Sequence, residues 1–291
     1  MKASFKAIMS GVGLLLIVVV LSTHAQFSGG NYGGSRRGLQ TRNPEIIKEQ
    51  EAIEKSVAAG FKEDVFTFAR LRFGGDQGFG FRGGGIWDDD SPAADYGITY
   101  RLFQVTSLNV RPGLSYIDIT AKDLANYPFV YVAARGRLVL TDDEVSALRN
   151  YLLTGGFLMV DDFWGDDQWQ RVYEQFKRVF PDREPVELTL DDPIFHIMFD
   201  FKKEPQSPSV MSFLNTRQTY DQGIDYGSKG HEPHYYGIYD DKKRMMVLIC
   251  HNNHFGDGWE HETEDESYFD TISEPMAYPM FINILVYAMT H

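Results

Sequence analysis

Two short, uninterrupted apolar runs on either side of an amphipathic segment constrain the fold most strongly. Phe129–Ala134 has the sequence FVYVAA, and Phe157–Val160 has the sequence FLMV. Between them, Thr141-Asp142-Asp143-Glu144 predicts the capping box of a helix that ends at Gly155-Gly156. Apolar runs of this length are typical of parallel strands that are buried on both faces. The pattern therefore predicts a strand–helix–strand unit inside a parallel sheet.

The rest of the chain continues this alternation of strands and helices. Further strands are predicted at Val65–Phe73, Ser115–Thr120 and Val186–Leu190, with a hairpin at a sheet edge formed by Tyr235–Tyr239 and Met245–His251. Helices are predicted from Ser91 to about Val105, from a cap at Asp166 or Asp167 to Pro181, and over Met276–Met289. Residues 200–233 lack periodicity and predict a long surface excursion. We therefore expect an open, mostly parallel α/β sheet with helices on both faces.

The first residues predict export. Lys2 and Lys6 precede an apolar run over Ile8–Leu21, and Thr23-His24-Ala25 follows as a small-x-small cleavage pattern. This segment resembles a secretory signal peptide cleaved near Ala25, and the alternative is an uncleaved N-terminal anchor. The expected domains are a signal peptide over 1–25, a glycine-rich tether with a short helix over 26–60, and an α/β domain over 61–291. The predicted location is the periplasm or the exterior, with no stable membrane span after cleavage.

The charge of the chain limits its partners. The formal net charge is −13, and removal of Lys2 and Lys6 with the signal peptide makes it −15. Such an acidic protein is repelled by phosphate backbones, so we expect no nucleic-acid partner. The single cysteine excludes an internal disulfide. The expected partner is an unknown small molecule or an envelope protein.

The ends of the predicted strands carry the first candidate site residues. In open α/β sheets, ligands bind outside the carboxyl ends of the strands. Asp161-Asp162 follow the FLMV strand, where they can bind a cation, orient a sugar hydroxyl or act as acid and base. The alternative is that one caps the next helix and the other is solvated. Arg135 follows the FVYVAA strand and can meet an anion, unless it is simply a solvated strand end.

A second polar stretch, ICHNNHFGDGWEHE, spans residues 249–262. His251 and His254 could supply two zinc ligands, and His261 or Glu262 a third, but this spacing matches none of the common zinc patterns. No metal ligands and no cofactor are therefore assigned. Cys250 lies within the apolar run MMVLIC, and His251 points to the opposite face of that strand, so Cys250 is expected to be an inert core residue.

The same stretch is also a candidate ligand-facing loop. Gly256-Asp257-Gly258 predicts a turn, and the alternative to a ligand-facing loop is an exposed polar turn. The residues expected to face a ligand are His251, Asn252, Asp257, Trp259 and Glu260.

Gly78–Gly83 matches the GxGxxG pattern of dinucleotide-binding proteins. That mechanism needs a helix to start within the motif, whereas here two more glycines and then Asp88-Asp89-Asp90 follow. Three carboxylates would repel a phosphate, so we interpret this stretch as a flexible loop.

Several longer segments carry a family resemblance. They are FVYVAARGRLVLTDDEVSALRNYLLTGGFLMVDDFWGDDQW over 129–169, Asp191–Phe195, and HNNHFGDGWE over 251–260. Over about Val65 to His291, the chain resembles a bacterial family described as domain of unknown function 4159. That family is assigned to the class I glutamine amidotransferase-like fold, a flavodoxin-like three-layer sandwich.

The resemblance also bears on the chemistry. The nucleophilic cysteine of true amidotransferases falls here on Asp161-Asp162-Phe163, where no thiol is present. Glutamine hydrolysis through a thiolate should therefore be absent. Two hypotheses remain: a ligand- or partner-binding envelope protein, or a hydrolase, for example one acting on carbohydrate, that uses Asp161, Asp162 and His251 as acid/base groups or metal ligands. The position of the 251–260 loop relative to the two aspartates discriminates between a shared site and none.

Overall fold

A computed structural model describes residues 65–74, 86–221, 232–261 and 265–291. The predicted signal peptide, the tether and the GxGxxG stretch lie outside the described residues. The strands are β1 (Ala69–Arg72), β2 (Tyr116–Asp118), β3 (Phe129–Ala133), β4 (Phe157–Asp161), β5 (Val186–Glu187), β6 (His234–Tyr239) and β7 (Met245–His251). The α-helices are α1 (Ala93–Val105), α2 (Asp142–Leu153), α3 (Gly165–Val179), α4 (Val210–Thr216), α5 (Phe255–Glu260), α6 (Glu266–Tyr268) and α7 (Tyr278–Thr290). Short 3-10 helices span Ile86–Asp88, Leu124–Asn126 and Pro193–Phe195, and a π-helix over Phe269–Ala277 joins α6 to α7.

The seven strands form one sheet in the order β2-β1-β3-β4-β7-β6-β5. Neighbouring strands from β2 to β7 are parallel, and β6 and β5 continue the sheet antiparallel. The predicted mostly parallel α/β fold is confirmed. β2 lies on one side of β1 in the sheet, and β3, the next strand along the chain, lies on the other side of β1. This is the doubly wound arrangement, in which a ligand crevice opens at the carboxyl ends of the strands where the order reverses.

Helices cover both faces of the sheet and bury two apolar layers. Phe129 and Tyr131 of β3 face the layer that contains α1, α5 and α7. Val130 and Val132 of the same strand face α2 and α3. Each such side chain contributes about 1.5–3 kcal/mol when it is fully buried. This two-sided burial is the reason that the β3 and β4 sequences lack polar alternation.

A local sequence signal accounts for the start of α2 but not for the start of α3. The predicted capping box is present, because the Thr141 hydroxyl accepts from the Glu144 amide at 3.2 Å and Glu144 Oε2 accepts from the Thr141 amide at 2.8 Å. Asp166 and Asp167 were the wrong cap for α3. They lie in its first turn, and Trp164 occupies the N-cap position. Carboxylates in a first turn still interact favourably with the helix dipole.

Two other predictions need correction. The β6–β7 hairpin is present, but β7 lies inside the sheet between β4 and β6, and the two-residue β5 is the edge. The segment after residue 200 is not wholly a surface excursion, since 205–210 is buried against the loop that follows β7. The Ser207 amide donates to Asn253 Oδ1 at 3.0 Å, and the His254 amide donates to the Ser207 carbonyl at 2.9 Å. Residues 222–231 of that segment lie outside the described residues.

Within the part of the chain that the structure covers, every helix is too short or too polar to cross a membrane.

Candidate functional site

The loop after β7 meets the aspartates that end β4. The Asp162 amide donates to the Asn253 carbonyl at 3.2 Å, and the Asn252 amide donates to the Phe163 carbonyl at 3.0 Å. Asn252 Oδ1 also accepts from the Gly165 amide at 2.8 Å, where α3 begins. The two strand ends named from the sequence therefore form one structural unit. Gly256, Asp257 and Gly258, predicted as a turn, belong to the buried helix α5.

Unusual backbone conformations concentrate at this end of the sheet. Six non-glycine residues have positive φ in the described chain, and four of them surround the strand ends. They are Asp90 at 59°, Arg135 at 43°, Asp162 at 60° and Asn252 at 56°. Asp and Asn tolerate the left-handed region better than other residues, yet each such position still costs free energy. Conformations of this kind cluster at functional sites.

Asp161 has a structural role. Its Oδ2 accepts hydrogen bonds from the Phe255 amide at 2.8 Å, from the Gly256 amide at 3.3 Å and from the Tyr131 hydroxyl at 3.1 Å. Burial raises the pKa of Asp161 to about 6, against the opposing effect of His254. Asp161 thus attaches the first turn of α5 to β4.

Asp162 is in a different environment. Its side chain is 1% exposed, and no N–H or hydroxyl group of the described chain donates a hydrogen bond to either carboxylate oxygen. Oδ1 lies 3.7 Å from His254 Nε2, and Oδ2 lies 3.9 Å from Arg135 Nε. Burial raises the pKa of Asp162 well above its usual range, and the neighbouring Asp90 and Asp89 raise it further. Asp162 is therefore a buried acid whose oxygens receive no hydrogen bond from an N–H or hydroxyl group of the described chain.

His254 is surrounded by carboxylates. Its Nε2 atom lies 2.9 Å from Asp90 Oδ2, 3.5 Å from Asp257 Oδ1 and 3.7 Å from Asp162 Oδ1. Burial acts to raise the pKa of Asp90, but the charge and the hydrogen bond of His254 outweigh it and lower that pKa to about 2. A β-carbon on Gly256 would overlap Asp90 Oδ2, so a glycine is required where α5 approaches this carboxylate.

Asp89 and Arg135 lie at the surface side of the cluster. The Asp89 side chain is 21% exposed and accepts from Arg135 Nη1 at 2.8 Å, and Arg135 itself is 48% exposed. The Asp89 carboxyl group is within hydrogen-bond reach of Asp162, so a single proton can bridge the two acids. Burial and the negative charge of Asp90 raise the pKa of Asp89 to about 6. Asp89 and Arg135 therefore form the solvent-exposed side of the cluster.

A buried ion pair holds the Asp89–Asp90 segment in place. Arg70 Nε contacts both carboxylate oxygens of Asp95, at 2.7 and 2.9 Å. Arg70 Nη1 donates to the Asp89 carbonyl at 2.7 Å. Burial raises the pKa of Asp95 in spite of Arg70. Arg70 thus connects β1 and α1 to the acidic cluster.

His251 lies in an aromatic group. Its ring stacks on Phe163 at 5.1 Å and lies 5.4 Å from the Trp169 ring, and Nε2–H donates to the Gly165 carbonyl at 3.2 Å. His251 forms no ion pair with Asp161 or Asp162 among the described residues. His254, considered from the sequence only as a zinc ligand, is the histidine that contacts an aspartate at this strand end.

The burial of His251 predicts a dependence of stability on pH. Burial lowers the pKa of His251 to about 4, so between pH 4 and 6.5 the unfolded chain binds more protons than the folded chain at this residue. The His251 contribution is therefore complete above pH 6.5 and is lost as the pH falls toward 4. Relative to His251→Phe, which retains the stacking, the wild type should lose about 2–3 kcal/mol between pH 7 and 4. Urea denaturation of both proteins at several pH values checks this, and parallel stability curves would contradict it.

The other residues that the sequence singled out do not lie together at the acidic cluster. Trp259 is fully buried in the core, and its indole N–H donates to the Ala277 carbonyl at 3.3 Å. Asn252 donates from Nδ2 to the Glu232 carbonyl at 2.8 Å. Glu260 lies 3.2 Å from His261 Nε2 at the end of α5. Cys250 is buried, as predicted, and burial raises the pKa of its thiol well above the usual range.

Two groups of side chains bring potential metal ligand atoms within 4.8 Å of one another: Asp89, Asp90 and His254, and Asp257, Glu260 and His261. Sequence spacing misses the first group because Asp90 and His254 are 164 residues apart. The signal for this group in the sequence is the run Asp88-Asp89-Asp90, which by itself indicates only that the segment repels phosphate.

Comparison with known proteins agrees with the resemblance seen in the sequence. A search of curated proteins returned no match to this chain. A family model, domain of unknown function (DUF4159), matches residues 67–289, which include every strand and helix that contributes to the acidic cluster. Because this match spans most of the chain, the protein belongs to the domain of unknown function (DUF4159) family.

Proposed function

We propose that this chain is an exported ligand-binding protein of the cell envelope, whose ligand binds in the acidic cleft formed by Asp89, Asp90, Arg135, Asp162 and His254. One observation carries the proposal: Asp162 is a buried carboxyl group to which no N–H or hydroxyl group of the described chain donates a hydrogen bond. A buried acid without such a donor costs stability, whether it stays ionised or takes up a proton on folding, and a ligand that completes the site offsets this cost.

The position and chemistry of the cleft support this proposal. The cluster lies at the carboxyl ends of β1, β3, β4 and β7, where open α/β sheets bind ligands. Its polar atoms are mostly hydrogen-bond acceptors, so it favours a ligand that brings positive charge or several hydrogen-bond donors. Amino sugars and other polyhydroxyl fragments of the envelope have this character.

Hydrolysis is the second candidate function. The specific observation in its favour is the Asp89–Asp162 pair, in which both pKa values are raised and one proton can bridge the two acids. Two carboxyl groups in different protonation states can serve as acid and base. His254, rather than His251, would assist them.

Thermal-shift screening tests the binding function. Amino sugars and envelope fragments should raise the melting temperature of the wild type by a few degrees, because a ligand that binds only the folded state stabilises it. Asp162→Asn should abolish the shift, and the matched control Asp167→Asn, on the exposed surface of α3, should retain it. A shift that persists in Asp162→Asn, or the absence of any shift in the wild type, would refute this function. Cleavage of chromogenic glycosides that depends on both Asp89 and Asp162 would instead support the hydrolase.

A further inference from the structure

We infer that the acidic cleft is a binding site for a first-row divalent cation such as Mn²⁺ or Zn²⁺, held by Asp90, Asp162 and His254 with Asp89 on the solvent side. The inference rests on the proposed function and specifies its ligand: a cation that binds alone or that connects the protein to an organic molecule.

The distances around His254 Nε2 carry the first step. Ligand atoms about 2.1 Å from one cation lie about 3.0 Å apart at a right angle and about 3.4–3.6 Å apart at tetrahedral and trigonal angles. The carboxylate oxygens of Asp90, Asp257 and Asp162 lie 2.9, 3.5 and 3.7 Å from Nε2. His254 Nε2 and Asp90 Oδ2 are hydrogen-bonded in the structure, and all three separations match those that ligand atoms of one cation adopt. Ligand atoms of Asp89, Asp90 and His254 also lie within 4.8 Å of one another.

Asp162 provides independent evidence. It is not a member of an exposed acidic patch, since its side chain is 1% exposed and its oxygens have no donor within the described chain. Oδ1 is directed toward His254 Nε2, and the carboxyl group lies beside that of Asp89. Two neighbouring ionised carboxylates repel each other unless a proton or a cation lies between them. A divalent cation between the Asp89 and Asp162 carboxylates removes this repulsion and gives each of them a partner.

The excess of acidic over basic side chains in the cluster also favours a bound cation. Across the described residues of the cluster and its α5 extension, carboxyl groups outnumber cationic side chains. The acids are Asp89, Asp90, Asp162, Asp257 and Glu260, and the bases are Arg135, His254 and His261. Arg70 is engaged by Asp95 outside the cluster. Buried negative charge in excess is stabilised by a bound cation.

The donor atoms select the kind of cation. Carboxylate oxygens alone would favour Mg²⁺ or Ca²⁺, whereas an imidazole nitrogen shifts the preference toward first-row transition metals. Asp257 uses Oδ2 to accept from the Val210 amide at 2.7 Å, so only its Oδ1 is available to the cluster. The assigned site offers the carboxylates of Asp89, Asp90 and Asp162 and one imidazole, with Asp257 Oδ1 as a further oxygen nearby, which suits Mn²⁺ or Zn²⁺ better than Mg²⁺.

Titration of the purified, chelator-treated protein with MnCl₂, ZnCl₂ and MgCl₂ in a calorimeter tests the inference. We expect saturable binding of one Mn²⁺ or Zn²⁺ per chain, more than about tenfold tighter than Mg²⁺. Binding should weaken more than about tenfold in Asp90→Asn, His254→Gln and Asp162→Asn, and remain unchanged in Asp167→Asn. Saturation with cation should also raise the melting temperature by about 5 °C.

The outcomes separate this inference from the proposed function. Asp162→Asn is expected to be folded and more stable than the wild type, so its loss of binding cannot be attributed to unfolding. The absence of saturable binding of any of the three cations overturns the inference. If the organic fragments still stabilise the chelator-treated wild type through Asp162, the ligand-binding function stands without the cation. If neither class of ligand binds, both are refuted. Cation binding that survives Asp162→Asn overturns the assigned site.

Discussion

Replacement of Asp95 by alanine is expected to lower the free energy of unfolding by about 3–5 kcal/mol. The Arg70 and Asp95 side chains are 1% and 0% exposed, and the carboxylate contacts the guanidinium through both oxygens. Removal of Asp95 leaves an arginine that remains charged at any accessible pH and has no carboxylate at its Nε atom. An uncompensated buried charge is among the most destabilising changes known for a folded protein. Urea denaturation monitored by circular dichroism measures the loss.

The double variant Arg70→Met, Asp95→Ala is the control. Replacement of a whole buried ion pair by apolar side chains is often close to neutral, so this variant should recover most of the stability lost in Asp95→Ala. Cation binding should nevertheless weaken, because the double variant lacks the Arg70 hydrogen bond to the Asp89 carbonyl. A double variant as unstable as Asp95→Ala would show that the cost does not come from the unpaired arginine.

The adjacent aspartates at the end of β4 should respond to substitution in opposite directions. Asp162→Asn should raise the stability of the metal-free protein by about 1–3 kcal/mol, because it removes a buried acid that must either carry an unsatisfied charge or take up a proton when the chain folds. Its amide can donate to Asp89, and asparagine tolerates the observed φ of 60°. Asp161→Ala should lower the stability by about 3 kcal/mol, because the Phe255 and Gly256 amides and the Tyr131 hydroxyl lose their acceptor.

Chemical denaturation of both variants after chelator treatment checks this contrast. If Asp162→Asn is less stable than the wild type, then Asp162 contributes to the fold and the argument for a ligand at that residue fails. If Asp161→Ala has wild-type stability, Asp161 does not attach α5 to the sheet. A substitution that stabilises the protein and abolishes binding is the behaviour expected of a residue retained for function.

The two strand ends illustrate how far sequence reasoning about the site extends. The rule that ligands bind at carboxyl ends of parallel strands led to Asp161, Asp162 and the 251–260 loop, and these segments are hydrogen-bonded neighbours. The rule does not predict what each of these residues does. Asp161 and Asp162 are identical in type and adjacent, yet one accepts three hydrogen bonds and the other accepts none from the described chain. Only the backbone path after β4 distinguishes them.

The choice between histidines has a similar explanation. His251 and His254 are three residues apart, and sequence offered no reason to prefer the second as the partner of an aspartate. His251 ends β7 and turns into an aromatic group with Phe163 and Trp169, whereas His254 precedes α5 and faces Asp90. The polar stretch around Trp259 predicts that its side chain faces a ligand. This prediction is wrong, because Trp259 lies on the side of α5 that packs into the core beside Phe281.

The sequence by itself determined the strands, most of the helices, the capping box at Thr141, and the buried, two-sided character of β3 and β4. These features arise from patterns within a few residues of one another: apolar periodicity, caps and helix-ending glycines. Only the tertiary structure decided the composition of the acidic cluster. Asp90 and His254 are 164 residues apart, and the parallel order of β1, β3, β4 and β7 brings the segments that follow them to one edge of the sheet. Strand order depends on which long-range crossovers bury the most apolar surface, which no local pattern encodes.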